Sequence, residues 1–510
     1  MQAITGKHRA PFYLLFVLTL SITLAACGGG GSSSDSGGGS TGTGLATIQG
    51  SVPGTIFMAV NNDTNLEVKR ATANATTKTF SMDIPTGTKY RFYMMENENT
   101  GTSRVYPMFM GTSNVFELDN TANGQIISLG MVNPDMATGN ATPANAPPLM
   151  MGRGANPSVP SSLTGSAFSL DSVMGTTWNY NTMMTSGTKS WEHGTLAFDS
   201  TGLGNMTGRV RNGSPVSSRV NIPYTMSLSG MLLDPGDTTF QGVVSRDKSV
   251  MVSTFTDATG GTAMMIAQKR GGTFLTSDMT GIWRFQRLTA GNDNLSSGWA
   301  YGTMTFVSGA ASITSITTNN GLGTLGNFTF FMDTNGIITQ PPLVDPSFYG
   351  VMSMDKSMIV ATNTNEGHPE IWVMMRTPEG TTYPMNDMMG DWLMHSVSSG
   401  NTGSQDWAFG HSFVDSSGNN TFSQMMGSNG VISPTQMTMT MNSTTGVMTI
   451  PGTGGGTGGG MMGGGMMGGG MMGGGMMTQT FHGIMNETKN MMVSTYSDGS
   501  GGYPFSIQVK

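Results

Sequence analysis

FQGVVSRDKSVMVST, residues 240–254, returns as FYGVMSMDKSMIVAT at 348–362 and as FHGIMNETKNMMVST at 481–495, without a gap. Repetition of a block this long at domain-sized intervals marks one structural unit used three times. Six of the seven tryptophans keep the same register. They pair as Trp178 with Trp191, Trp283 with Trp299 and Trp392 with Trp407, and the first members lie 105 and 109 residues apart. Three residues after each second tryptophan stands Gly194, Gly302 or Gly410, followed by an apolar strand carrying Phe198, Phe306 or Val414. Each unit ends in a strand that closes on a cation: IAQKR at 266–270, WVMMR at 372–376 and IQVK at 507–510. From second tryptophan to the glycine of the block the distance is 51, 51 and then 76 residues. The excess of 25 matches a Gly/Met tract at 452–477, which reads as a loop inserted into an otherwise complete third unit.

Tight turns such as DSTG at 199–202 and DTNG at 333–336 separate seven or eight short strands per unit, and no segment has a helical period. An antiparallel meander is the expected result. Eight strands in about 100 residues can close into a small barrel, which removes aggregation-prone edges; blades of a β-propeller are the alternative. The predicted fold class is therefore all-β, with an N-terminal β-sandwich at 45–133, a Pro-rich linker at 134–169, and tandem antiparallel units at 170–272, 276–378 and 386–510.

GIW at 281–283 and GDW at 390–392 open their units, and Arg376 or Lys510 closes them. This is similar to the lipocalin and avidin superfamily, whose first-strand G-x-W tryptophan is covered by a basic side chain from the last strand. The resemblance implies a cation–π contact in these two units. The first copy departs from it, with GTTW at 175–178. In the N-terminal domain, strands are expected at 46–52, 79–85, 90–95 and near 126–129. GSVPGT at 50–55, FSMDIPTGTKYRFY at 80–93 and the closing IISL at 126–129 resemble the transthyretin-like or carboxypeptidase-regulatory sandwich modules. An unrelated β-sandwich fits the same strands.

The chain begins with a short basic stretch, Lys7, His8 and Arg9, and an apolar run from Phe12 to Leu24, the length of a signal-peptide core rather than of a membrane span. It ends in Leu24-Ala25-Ala26-Cys27, which resembles the lipobox of bacterial lipoproteins. The resemblance implies cleavage after residue 26 and lipid on Cys27, with Gly28 favouring the outer membrane, so that the lipid makes membrane a partner of the chain. Each buried methylene contributes roughly 0.8 kcal/mol, so two or three acyl chains anchor firmly. The Gly/Ser run at 27–44 then serves as a tether. Cys27 is the only cysteine, so no intrachain disulfide can form.

A net charge of −7 without a basic block lacks the electrostatic footprint of nucleic-acid binding. No catalytic signature is found, neither a G-x-S-x-G elbow nor a P-loop, and catalytic, cofactor and metal residues are left unassigned. Eight methionines in the 452–477 tract suggest Cu(I) capture by soft thioethers, or oxidant scavenging; the plainer reading is repeat expansion in a surface loop. His193, His395, His411 and His482 lie near the repeat motifs but at no common position, and are expected as surface or strand residues. Glu366-Gly367-His368-Pro369-Glu370 fits either a metal-binding hairpin or a polar turn. The sequence reading is thus a membrane-anchored, noncatalytic binding or scaffold protein of the cell envelope. A small apolar ligand in a barrel mouth and an envelope protein are its candidate partners, and a hydrolase with its site between units is the alternative.

Overall fold

Each repeated unit begins with its first-tryptophan strand paired on both sides, to the strand that follows it and to the last strand of the same unit. In the second unit Gly281–Thr289 pairs with Gly298–Val307 and with His368–Arg376; in the first, Thr177–Met184 pairs with Ser190–Phe198 and Thr262–Lys269; in the third, Gly390–Gly400 pairs with Trp407–Val414 and Gly502–Val509. The computed structural model describes residues 44–96, 103–163, 167–293, 295–319, 326–400, 406–451, 481–498 and 501–510. Among them there is no α-helix, only strands and short 3-10 turns, and no helix is long and apolar enough to cross a membrane.

Each meander closes on itself through a kinked fourth strand. In the second unit Asn327–Thr329 pairs back to Ala310–Thr318 and, one residue later, Phe331–Met332 pairs forward to Ile337–Thr339. Arg219–Ile222 with Thr225–Met226 makes the same crossing in the first unit, and Thr435–Thr438 with Thr440–Met441 in the third. At each kink a large side chain, Tyr224, Phe330 or Met439, is buried in its unit's own core. The units are therefore eight-stranded antiparallel barrels, each nearly closed through its kinked strand, and the propeller alternative is set aside, because a blade's first and last strands do not pair.

The glycine three residues past each second tryptophan marks a bulge or its neighbour, with register shifts at His193/Thr195, Thr303/Met304 and Phe409/His411. At Gly302 a Cβ would run into the Ser315 carbonyl oxygen and the Phe285 ring, so the strand can bend over the barrel core only where no side chain intervenes.

The barrels are filled. Trp178, Tyr180, Phe198, Tyr224 and Phe240 pack inside the first, and Trp283, Phe285, Phe306, Phe330 and Trp372 inside the second. In these two barrels ion pairs plug the interior toward one end. Glu192 is bound by Tyr180, Arg209 and Arg211, and Arg287 lies 3.3 Å from Glu370. The apolar cups envisaged for a small ligand are thus occupied by the protein's own side chains.

Alternate residues of the same strands build a second core outside the barrels. Val250, Val252 and Ile266 of the first, Val360, Val373 and Met375 of the second, and Val493, Ile507 and Val509 of the third belong to one buried cluster. These strands are apolar on both faces because one face lines a barrel and the other meets two neighbouring barrels. The three units therefore surround a pseudo-threefold axis.

The N-terminal domain is a sandwich of a four-stranded and a six-stranded sheet. Leu45–Ser51, Thr79–Pro85, Thr88–Glu96 and Ile126–Asp135 occupy the places expected from the sequence. Leu45–Ser51 and Ile126–Asp135 run parallel, whereas the other strand pairs among the described residues are antiparallel apart from an isolated bridge between Met108 and Ala141. Part of the stretch read as a linker, 134–169, is folded instead. Asn140–Pro143 pairs with Ile126–Asp135, Met151–Gly152 pairs with Phe116–Leu118, and Met136 at a hairpin tip reaches the axial core. Prolines at edge and turn positions are compatible with pairing on one side, and composition alone reads them as linker.

Candidate functional site

The second tryptophans, which the lipocalin-like pattern does not require, bind the barrels into a ring. Trp191 Nε1 donates to Thr364 Oγ1 at 2.7 Å, Trp299 Nε1 to Ser497 Oγ at 2.9 Å and Trp407 Nε1 to Thr256 Oγ1 at 2.8 Å. The acceptors hold one repeat position, two residues past the block's final threonine. A second set of bonds runs parallel to these. Asn181, Gln286 and His395, each three residues past a first tryptophan, bond to Thr362, Thr495 and Thr254 of the next barrel at 3.0, 2.6 and 3.1 Å. Ring stacking adds His193 on Tyr349 at 3.6 Å and Tyr301 on His482 at 3.5 Å. Barrel one contacts two, two contacts three, and three contacts one.

At one end of the axis the hairpin turns of the repeated block converge around a cavity of about 10 Å³, lined by Asp247, Asp355, Asn486 and Asn490 with flanking serines. That is room for one water. Lys248, Lys356 and Lys489 turn these hairpins at φ of 57°, 60° and 59°. Their ammonium groups point back over Phe168, Phe274 and Tyr383 at the barrel ends. Glycine would relieve the left-handed backbone but would leave those rings uncovered.

The cations closing the units behave as the sequence pattern implied in two of three cases. Arg376 lies over Trp283 at 6.0 Å and Lys510 over Trp392 at 4.5 Å. Trp178, where the motif departs, donates instead to Thr176 Oγ1.

The densest chemistry lies where the sandwich meets the third barrel. Asp391 and His411 project outward from adjacent barrel strands, and Glu96 ends a sandwich strand facing them. His411 Nε2 is 3.1 Å from Asp391 Oδ1 and 3.5 Å from Glu96 Oε1. All three residues are buried, at 0, 5 and 1 % exposure for His411, Asp391 and Glu96. Burial alone would lower the His411 pKa, but the adjacent Asp391 and Glu96 carboxylates outweigh it and raise the ring to about 10. Burial and the Glu96 charge push Asp391 up to about 6. Lys78 of the sandwich covers Phe413 beside them at 4.4 Å. Arg104 donates from the sandwich to the carbonyls of Ser229, Val244 and Lys510, joining both outer barrels.

Sequence reasoning did not assign this cluster, and it expected His395 and His411 as surface or strand residues; both lie in strands but are fully buried. A signal was present. Asp391 stands where the other copies have Thr177 and Ile282, and His411 where they have Thr195 and Thr303. In the 366–370 stretch, Glu370 faces Arg287 inside the barrel and Glu366 lies in an exposed turn at φ 50°. Cys27 and the 452–477 tract lie outside the described residues.

No family model matches the chain, and no curated protein matches it. Among solved structures it is similar to a protein of unknown function of the DUF3598 family from Nostoc punctiforme, at 8% identity over 46% of this chain and 96% of that one, with a TM-score of 0.18. It is also similar to the isotype 1 transferrin binding protein B from serogroup B Neisseria meningitidis, at 10% identity over 66% of this chain and 78% of that one, TM-score 0.18. At these scores neither likeness carries further argument.

Proposed function

We propose that this chain is an exported lipoprotein, acylated at Cys27 and anchored to the bacterial outer membrane, whose ring of three barrels is a rigid scaffold presenting loops to a protein partner. The observation that carries the scaffold reading is the filled interior of barrels that are cross-bonded in a closed ring. A ligand must then meet the outside of the body. The axial turns meet at one end and the second tryptophans bond near the other, so the barrels point the same way. Leu295, Leu343 and Val431, at 81, 101 and 82 % exposure, are the most exposed large apolar side chains among the described residues. Leu295 and Leu343 sit in loops and Val431 in the short edge strand Gly430–Ile432, all at the end remote from the axial turns, and protruding apolar side chains of this kind suit a protein contact. The buried Glu96–Asp391–His411 cluster offers no access to a substrate, which argues against assigning it hydrolytic chemistry.

Two measurements test this reading. Intact-mass analysis of membrane-extracted protein should show loss of residues 1–26 and addition of lipid, and Cys27→Ser should release the chain from the membrane fraction. Photo-crosslinkers placed at Leu343 and Val431 on intact cells should yield a protein adduct that a crosslinker at Leu275, at the opposite end, does not. An unlipidated thiol, or equal labelling at both ends, would overturn it.

A further inference from the structure

We propose that Glu96, Asp391 and His411 form a binding site for a divalent transition-metal cation of the zinc type, which clamps the N-terminal sandwich to the third barrel. The ligand set is two carboxylates and one imidazole, donors that zinc accepts. Their atoms lie within 4.8 Å of one another. Zinc with ligands at about 2.0–2.1 Å places neighbouring donors about 3.3 Å apart in a tetrahedron, and the observed 3.1 and 3.5 Å from His411 Nε2 bracket that edge.

The remaining ring nitrogen is held from behind. His411 Nδ1 lies 3.3 Å from Ser423 Oγ, the outer contact that aims a metal-binding imidazole and fixes its tautomer.

The atoms that would face the cation are left over. Glu96 Oε1, Asp391 Oδ1 and His411 Nε2 have no partner in hydrogen-bonding geometry, and neither has the hydroxyl of the fully buried Tyr106. Burial, then the Glu96 charge, pushes the Tyr106 pKa up. Leaving so many buried polar atoms unmatched is costly, and such groups in a native protein call for an unseen partner. Among the described residues, no group other than His411 lies within ion-pair distance of either carboxylate. Arg104 gives its terminal nitrogens to backbone carbonyls, and the buried Arg246 acts on both carboxylates only at longer range, forming an ion pair with neither. The clamp joins segments nearly 300 residues apart, so its occupancy would be read as stability of the docked sandwich.

The test uses the full-length chain, stripped with a chelator and titrated with zinc. Calorimetry should give one tight site per chain, and Tm should rise with the logarithm of zinc concentration. His411→Gln and Asp391→Asn should each lose that site, whereas His395→Gln, at a ring position, should keep it. Should the site variants misfold, cobalt(II) bound to the unaltered chain should show the intense visible bands of a tetrahedral N/O site. Zinc uptake equal in the parent and in His411→Gln, no uptake above that variant's level, or cobalt bands typical only of octahedral surface coordination would each overturn the proposal and leave a proton as the cluster's occupant.

Discussion

Trp407 of the third barrel donates its indole proton to Thr256 of the first at 2.8 Å, and this bond closes a circle that the chain itself leaves open. Consecutive barrels are joined by short connections, but the third and first are brought together only by noncovalent contacts. If the circle matters, breaking it should be felt by all three barrels. Trp407→Phe keeps much of the ring's bulk and removes the donor, and loss of one such part-buried bond costs about 0.5–1.5 kcal/mol. Chemical denaturation should show a lowered midpoint with the transition still single. A double-mutant cycle with Thr256→Val should return a coupling of roughly 0.5–3 kcal/mol. Three separate transitions in the parent protein would contradict the shared axial core.

Acid should loosen the ring before it unfolds the barrels. Burial lowers His193 to about 4 and His395 to about 3; burial, then the Arg284 charge, lowers His482 to about 3. All three sit at contacts between barrels. A histidine held neutral when folded takes up its proton first in the unfolded chain, at a pKa near 6.5. The stability it supports is therefore intact above about pH 6.5 and is lost progressively as pH falls toward 3 to 4. For fully buried His395 the slope approaches about 1.4 kcal/mol per pH unit. His395→Gln installs the residue type of Gln286 at the equivalent position of the second barrel. Thermal melts at pH 7.5 and pH 5 should show a smaller gap for this variant than for the parent.

The repeat glycines should differ in tolerance according to what faces them. At Gly302 an added Cβ meets the Ser315 backbone oxygen as well as Phe285, and backbone cannot step aside. At Gly350 the nearest atoms are side chains of Ile338, Phe348 and Ala361, at ordinary or slightly tight contact. Gly302→Ala should lower stability by about 1–3 kcal/mol, and Gly350→Ala by less. Urea midpoints of the two variants give the comparison directly.

Much of this architecture was legible in the primary structure, and the failures share one cause. The tryptophan pairs, the glycines and the closing cations are set by each barrel's own interior, so each recurs in the sequence and can be aligned. The ring was not read. Runs such as VMVST at 250–254 and IWVMM at 371–375 lack strict alternation, and a strand apolar on both faces needs a second surface to cover its outer side. That covering is supplied by two other barrels, a relation between distant segments that no local pattern expresses. The buried cluster escaped for the related reason that Glu96, Asp391 and His411 come from two domains. Only the departure of the third copy from Ile282 and Thr303 hinted that its outer wall faces something polar.

The Gly/Met insertion should be dispensable for folding. It joins Val447–Thr449 to Phe481–Met485 at the barrel end remote from the axial turns, and both flanking strands are fully paired without it. The equivalent connection in the first barrel is the two-residue turn Pro235-Gly236, between Met231–Asp234 and Asp237–Val244. The geometry between these strands therefore accepts a short link. Each doubling of loop length costs only about 0.6 kcal/mol in closure entropy, so removing 452–477 should leave Tm unchanged or slightly raised. The same deletion separates the two readings of the methionines. If they capture copper, Cu(I) stoichiometry falls on deletion while the fold survives. If they are loop expansion, neither quantity moves. A large fall in Tm would mean that the tract packs on the barrels and is more than a loop.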